Sequence, residues 1–300
     1  MLKNCLLPFN FLLIFLLPAC HDGDKKADQE QIESHKITKH HTYPLSAELK
    51  EISGITFIND SLIAAIEDEH GIVYFYNIQK NKIVRKLEFS KPDDFEDLVV
   101  VGKDIFAVSS NGNIYKIVNF AVEKPQIVKY KTSLKKKNDV EGIAYDSSEN
   151  RLLLSTKGEN LDGKEQIKSV YSFSLKNHQL DEKPYLDIDI EKLKDYFSGD
   201  KIEEASKDFL EALGNKSLKK VFTPTAMSFH PQTQELYIIS SINNMILVYQ
   251  QKRLVRYILF RAPEFAQAEG LAFNSQSELY ISNEGKKQIP GNIIKVEEIL

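Results

Sequence analysis

Val140-Glu141-Gly142-Ile143-Ala144-Tyr145 is one copy of a six-residue stretch that returns along the chain. The others are Ile52-Ser53-Gly54-Ile55-Thr56-Phe57, Phe95-Glu96-Asp97-Leu98-Val99-Val100, Pro224-Thr225-Ala226-Met227-Ser228-Phe229 and Ala268-Glu269-Gly270-Leu271-Ala272-Phe273. Aligned on the third residue, the copies sit at 54, 97, 142, 226 and 270, so the steps are 43, 45, 84 and 44. A repeat of about 40–50 residues opening on an apolar, strand-forming run is the mark of a β-propeller, with one blade per repeat. The expectation is an all-β propeller. A chain of 300 residues, 42% hydrophobic and 27% charged, can bury one large core, and the repeat argues against a split into unrelated domains.

Within each repeat, a second strand ends 12 to 14 residues after the anchor in a polar cluster: Glu67-Asp68-Glu69, Ser109-Ser110-Asn111, Ser155-Thr156-Lys157, Ser240-Ser241 and Ser282-Asn283-Glu284. Third strands follow at Ile72–Tyr76, Asn113–Ile117, Ser169–Phe173, Met245–Tyr249 and Asn292–Val296, rich in β-branched and aromatic residues. Fourth strands read at Ile83–Phe89, Gln126–Tyr130, Tyr185–Ile190 and Leu254–Ile258. The fifth repeat ends at Leu300 without one, and Ile37–Tyr43 is the strand that can complete it and protect its edge. Five blades are favoured. The double step leaves six as the alternative, with the extra blade between Asp181 and Phe222. Against it, Ile202, Ala205, Phe209, Leu210 and Leu213 recur at helical spacing, Asp200 and Glu203 form a cap pair and Gly214 supplies a stop. This segment reads as a helical insertion at about 190–220, between blades three and four.

The N-terminus differs in kind. Lys3, the apolar run Leu6–Leu17 and then Pro18-Ala19-Cys20 read as an export signal over residues 1–19, too short for a comfortable membrane span. Leu17-Pro18-Ala19-Cys20 resembles the lipobox of bacterial lipoproteins, which makes Cys20 the acylated first residue of the mature chain. Residues 20–35 are polar and aperiodic and read as a flexible tether, leaving 36–300 as the propeller domain. The location expected is the bacterial cell envelope, periplasmic or surface-exposed, with the membrane as a partner through lipidated Cys20. Only Cys5 and Cys20 are present, so the mature domain has no disulfide. A net charge of −4 gives no sign of a nucleic-acid partner.

The copies Glu51-Ile52-Ser53-Gly54, Val140–Ala144 and Ala268–Ala272, with Pro224-Thr225-Ala226 and a lipoprotein leader, resemble the SdiA-regulated family of bacterial envelope β-propellers over roughly residues 45–300. Phytase-like and NHL-type propellers share the motifs more loosely. The resemblance implies an exported envelope propeller, and calcium binding in some relatives. Here Asp97 replaces the motif glycine and Thr225-Ala226 replaces Glu-Gly, which breaks a perfect carboxylate ring.

Antiparallel first and second strands bring the start of one beside the end of the other, so both polar clusters belong at one mouth of the channel. Glu96, Glu141 and Glu269 then ring the axis, with Ser53 and Thr225 in the equivalent places. Glu67, Asp68 and Glu284 lie just outside, with Glu69, Asn111 and Asn283. Converging carboxylates repel, which raises their pKa values unless a cation compensates, and such hard oxygens suit calcium or magnesium. The competing reading is architectural: the glycine is needed because inner strands crowd at the axis, and the glutamate accepts hydrogen bonds at the rim. The loop Lys157–Lys164 and the helical insertion fall at the same mouth. Asp187, Asp189 and Glu191 on an outer strand, and His40-His41 with side chains on opposite faces, are poorer candidates.

No Gly-x-Ser-x-Gly, His-Glu-x-x-His, phosphate-loop or dinucleotide fingerprint occurs. Two functions fit these residues. One is a non-enzymatic binding or scaffold module whose mouth takes a small ligand, glycan or protein. The other is a cation-dependent hydrolase of ester or phosphoester bonds, phytase-like or lactonase-like, in which the metal orders water.

Overall fold

Each copy of the repeat forms the innermost strand of an antiparallel meander. The computed structural model describes residues 32–197, 222–261 and 265–300. A first strand, β1 (Glu33–Pro44), precedes the repeats. The first sheet is β2 (Ile52–Asn59), β3 (Leu62–Glu67), β4 (Ile72–Asn77) and β5 (Lys82–Glu88). The second is β6 (Phe95–Val101), β7 (Asp104–Ser109), β8 (Ile114–Val118) and β9 (Gln126–Tyr130). The third is β10 (Val140–Asp146), β11 (Arg151–Thr156), β12 (Ile167–Ser174) and β13 (Gln179–Asp189), which runs into the helix α1 (Ile190–Phe197). The meander β14 (Ala226–Phe229), β15 (Leu236–Ser240), β16 (Met245–Gln250) and β17 (Arg253–Leu259) follows, then β18 (Ala268–Phe273), β19 (Leu279–Asn283) and β20 (Asn292–Ile299).

The last two meanders are not separate sheets, as the sequence had led us to expect. They form one eight-stranded sheet ordered β14-β15-β16-β17-β1-β20-β19-β18. The cause is the length of β1. Its second part pairs antiparallel with β20, from Ile37 opposite Ile299 to Pro44 opposite Asn292, which is the partnership expected for Ile37–Tyr43. Its first part, Glu33–Lys36, pairs in parallel with Arg256–Leu259 of β17, and register shifts between Ile37 and His40 let one strand serve both. Ordered pairing therefore starts before the expected domain start at 36, and the outer edge of β17 is covered as well.

Side-chain alternation along these strands fills the spaces between meanders. In β3, Ile63 and Ala65 face one core while Ala64 and Ile66 face the next. Five such cores occur among the described residues, each shared by two neighbouring meanders, and the last one, with Ala272, Tyr280 and Ile293, returns to Ile55, Ile63 and Tyr74 of the first. Each fully buried Leu, Ile or Val contributes about 1.5–3 kcal/mol. The innermost strands touch in a closed circuit, β2 to β6, β10, β14, β18 and back to β2. Between them lies a channel of about 180 Å³, lined by the last residues of all five, including Phe57, Val100, Tyr145, Phe229 and Phe273.

The export signal at 1–19, Cys20, the tether as far as 31, and the helical pattern built on Ile202, Ala205, Phe209, Leu210, Leu213, Asp200, Glu203 and Gly214 lie outside the described residues.

Candidate functional site

Four of the inner strands begin with the same irregularity. Phe95 pairs with Ser109 but Asp97 with Val108; Val140 pairs with Thr156 but Gly142 with Ser155; Ala268 pairs with Asn283 but Gly270 with Ser282. Each is a β-bulge whose extra residue is Glu96, Glu141 or Glu269; β2 is shifted in the same place, between Ile52 and Ile55. A bulge re-aims one side chain and leaves part of the backbone unpaired. Buried serines at the ends of the second strands answer the second problem. Ser155 Oγ accepts a hydrogen bond from the Gly142 N–H at 3.2 Å, and Ser282 donates to the Ser53 carbonyl at 3.1 Å. The glycine after the bulge is sterically required: a Cβ on Gly270 would stand 2.7 Å from the Ser53 carbonyl oxygen of the neighbouring inner strand. The crowding half of the architectural reading is therefore correct.

The three re-aimed glutamates share one electrostatic environment. Glu141 is buried and ion-paired at 2.9 Å with Lys157, the first residue of the long loop. Burial raises the pKa of Glu96, and Glu141 and Asp94 raise it further. Burial also raises Glu141 above the usual carboxylate range, against the pull of Lys157. Glu269 is pushed up to about 8 by burial and then by Glu141. Lys157 loses some basicity to burial but is held above its ordinary value by Glu141, Glu269 and Asp139. Among the described residues one ammonium thus faces three glutamates and the flanking Asp94 and Asp139, so acidic groups outnumber it. Neither Glu96 nor Glu269 has a hydrogen bond or an ion pair among the described residues.

The outer residues are arranged differently. Glu67 folds back on its own turn, accepting from the N–H groups of Glu69 at 3.1 Å and His70 at 2.8 Å and lying 2.9 Å from His70 Nδ1. Glu67, Glu69 and His70 are the one set of three or more such donors among the described residues with ligand atoms all within 4.8 Å of one another. Glu96, Glu141 and Glu269 do not form so tight a set, so a small ion there needs the carboxylates to close in. Asp68 is raised to about 6 by burial and by Glu51, Glu67 and Glu284. Glu284, raised by burial and Glu51, accepts a hydrogen bond from Gln267.

Asp97 leaves the mouth. It is buried between inner strands, where its carboxylate accepts the N–H groups of Leu98 at 2.8 Å and Ile143 at 3.0 Å. It substitutes for a glycine by tying β6 to β10. Thr225 does similar work, donating to the Ala268 carbonyl at 2.8 Å. Asp187 accepts from Ser169 and belongs to no site.

Buried side-chain atoms without a hydrogen-bond partner gather on the same face. Of the six among the described residues, Asp68 Oδ1, Ser133 Oγ, Thr223 Oγ1, Asn243 Nδ2 and Asn283 Oδ1 lie at strand ends or loops on the acidic side, and only Ser277 Oγ lies on the other.

A family model described as SdiA-regulated matches residues 32–287. The chain belongs to the SdiA-regulated family. No curated protein matches this member. Among solved structures, the glutaminyl cyclase of Myxococcus xanthus is 11% identical, with 90% of this chain and 100% of that one covered at a TM-score of 0.58. A streptogramin B lyase is 12% identical, covering 86% and 98% at 0.49. An aldose sugar dehydrogenase of Streptomyces coelicolor in its PQQ-bound form is 9% identical, covering 87% and 99% at 0.48. Likeness at these identities shows the β-propeller fold alone.

Sequence reasoning placed the three glutamates but missed the flanking aspartates and the role of Lys157. The missed signal is short: Asp94-Phe95-Glu96 and Asp139-Val140-Glu141 repeat Asp-x-Glu at the same point of two blades.

Proposed function

We propose that this SdiA-regulated protein is a lipid-anchored envelope propeller of five blades, and that it works as a binding module taking a hard cation at its acidic mouth. The five-blade reading is supported by five inner strands in a closed circuit and five inter-meander cores. The helix α1 is the described start of the proposed insertion. Anchoring through Cys20 rests on the leader, and Cys20→Ser is expected to move the protein from the membrane to the soluble fraction.

The observation that carries the function is the repeated bulge, which delivers Glu96, Glu141 and Glu269 to one place with Lys157 as their nearest counter-charge. Strands that need only to pack do not require an ionisable group at three of their four bulges. Oxygen donors of this type suit calcium, held by the three carboxylates as they close around it, with Asp94 and Asp139 adding charge. The cation has to compete with the Lys157 ammonium and with protons. Calorimetric titration with calcium at pH 7 in two buffers of different ionisation enthalpy tests this. Binding with net proton release is the expected result, because carboxyls of raised pKa must ionise to take the ion. Binding without proton release, or none, contradicts it.

A catalytic use is less well supported. Among the described residues the mouth has one central lysine, already paired with Glu141, and a phosphoester hydrolase needs further cationic groups to hold its substrate.

A further inference from the structure

The opposite end of the channel has its own chemistry, independent of the acidic mouth. Between the β14–β15 and β18–β20 parts of the eight-stranded sheet lies a recess of about 400 Å³, within the size range of small-ligand sites. Phe273 lines both this recess and the channel. One wall is aromatic. His230 lies over Tyr237 at 6.1 Å with 26° between the rings, and Phe273 meets both edge-on at 5.0 Å.

The polar groups are placed to meet hydroxyls. His230 Nδ1 accepts the Thr233 N–H at 3.1 Å, so in the neutral ring the proton sits on Nε2 and can be donated. Neutrality is favoured because burial lowers the pKa of His230. Ser277 Oγ is buried, has no partner and lines the recess. Next to Ser277 in the chain, Glu278 is bonded to Asn274 at 2.7 Å and to Lys295 at 2.6 Å. Glu297 and Glu298 accept from Lys39 and Thr38. These carboxylates keep free lone pairs for further donors.

From this juxtaposition we infer that the recess binds a sugar-type ring: a saturated, hydroxyl-bearing ring laid with its apolar C–H face on Phe273 and its hydroxyls on Ser277, His230 and the carboxylates. The electron-rich ring face favours the partly positive C–H edge. An anionic ligand is disfavoured, since three carboxylates oppose it and Lys295 and Lys39 are already paired. A flat organic cation is the competitor, and the test separates the two.

Saturation-transfer NMR on the folded domain would use methyl β-glucopyranoside, methyl β-N-acetylglucosaminide and benzylammonium as probes. The expected result is transfer to the axial protons of one face of a glycoside at millimolar concentration, and no comparable transfer to benzylammonium. Phe273→Leu keeps an apolar side chain but removes the platform, and Ser277→Gly suits a residue at φ +66° while deleting the hydroxyl. Each should weaken binding by roughly fivefold or more, whereas Lys124→Ala, on the exposed turn between β8 and β9, should leave it unchanged. Transfer to benzylammonium alone, to no probe, or equally in both recess variants and the parent would overturn the assignment.

Discussion

The two ends of the channel are built from the same five strands and differ in almost every physical respect. At their starts four of the five strands bulge, and in three of them the residue at the bulge is a glutamate whose pKa is raised by burial and by neighbouring carboxylates. At their ends the strands are regular apart from a shift between Phe57 and Asn59 in β2, and Phe57, Tyr145, Phe229 and Phe273 line the channel with rings that have no charge to balance. One end carries its ionisable groups at the axis; at the other the axis is lined by uncharged rings, and the ionisable groups lie off it in the recess. The difference teaches that a repeat can fix the backbone of a site and still leave its chemistry to one residue per copy.

The largest expected effect tests the shared scaffold. Gly270→Ala drives a Cβ against the Ser53 carbonyl, a backbone atom that cannot rotate away, and should cost about 3 kcal/mol or more in a denaturant melt. A loss below about 1 kcal/mol would mean that the inner strands are looser than described.

Next comes Lys157→Met, which strips the acidic mouth of its central ammonium. Its side chain is 37% exposed, so the cost expected for a buried ion pair is reduced to about 2 kcal/mol. The loss should appear at pH 8 and shrink at pH 5, where the glutamates carry protons.

Glu269→Gln should act in the opposite direction. A carboxyl whose folded pKa is raised keeps a proton that the unfolded chain releases, so the folded state loses stability as pH rises from about 4.5 to about 8. Glutamine removes that loss. In chelator the variant should be more stable than the parent by about 2 kcal/mol at pH 8 and nearly equal to it at pH 5. Parallel pH profiles for the two would show that Glu269 is solvated and unperturbed.

The smallest effect belongs to the aromatic end. Tyr145→Phe gives up one hydrogen bond to Asn150 at 3.2 Å and should cost less than about 1 kcal/mol, by the same amount at pH 5 and pH 8. A pH-dependent cost there would break the contrast between the mouths.

Much of this contrast was legible in the sequence, because period and alternation are direct consequences of strand geometry. The 43- to 45-residue step and the runs Ile72–Tyr76 and Met245–Tyr249 gave strands where strands are found. The missing strand of the last repeat pointed to Ile37–Tyr43. The fusion of two sheets by Glu33–Lys36 was not legible, since polar residues pairing along an outer edge leave no hydrophobic period. Glu96, Glu141 and Glu269 were readable as equivalents, but their bulges were not: a bulge is a register difference between two strands, and one strand's sequence does not show it. Glu67 looked like a mouth residue by position, and only coordinates reveal that its carboxylate is used up on the turn to His70. Lys157 read as one loop lysine among several until Glu141 was found 2.9 Å away.

The most direct measurement is thermal melting of the domain at pH 7, in chelator and in millimolar calcium, for the parent and for the Glu96→Gln, Glu141→Gln, Glu269→Gln triple variant. The account predicts that calcium raises the parent's melting temperature, corresponding to about 2.7 kcal/mol at a hundredfold excess over Kd, and leaves the triple variant unmoved. Calcium shifting both curves equally, or neither, would contradict the claim that these three carboxylates form a cation site.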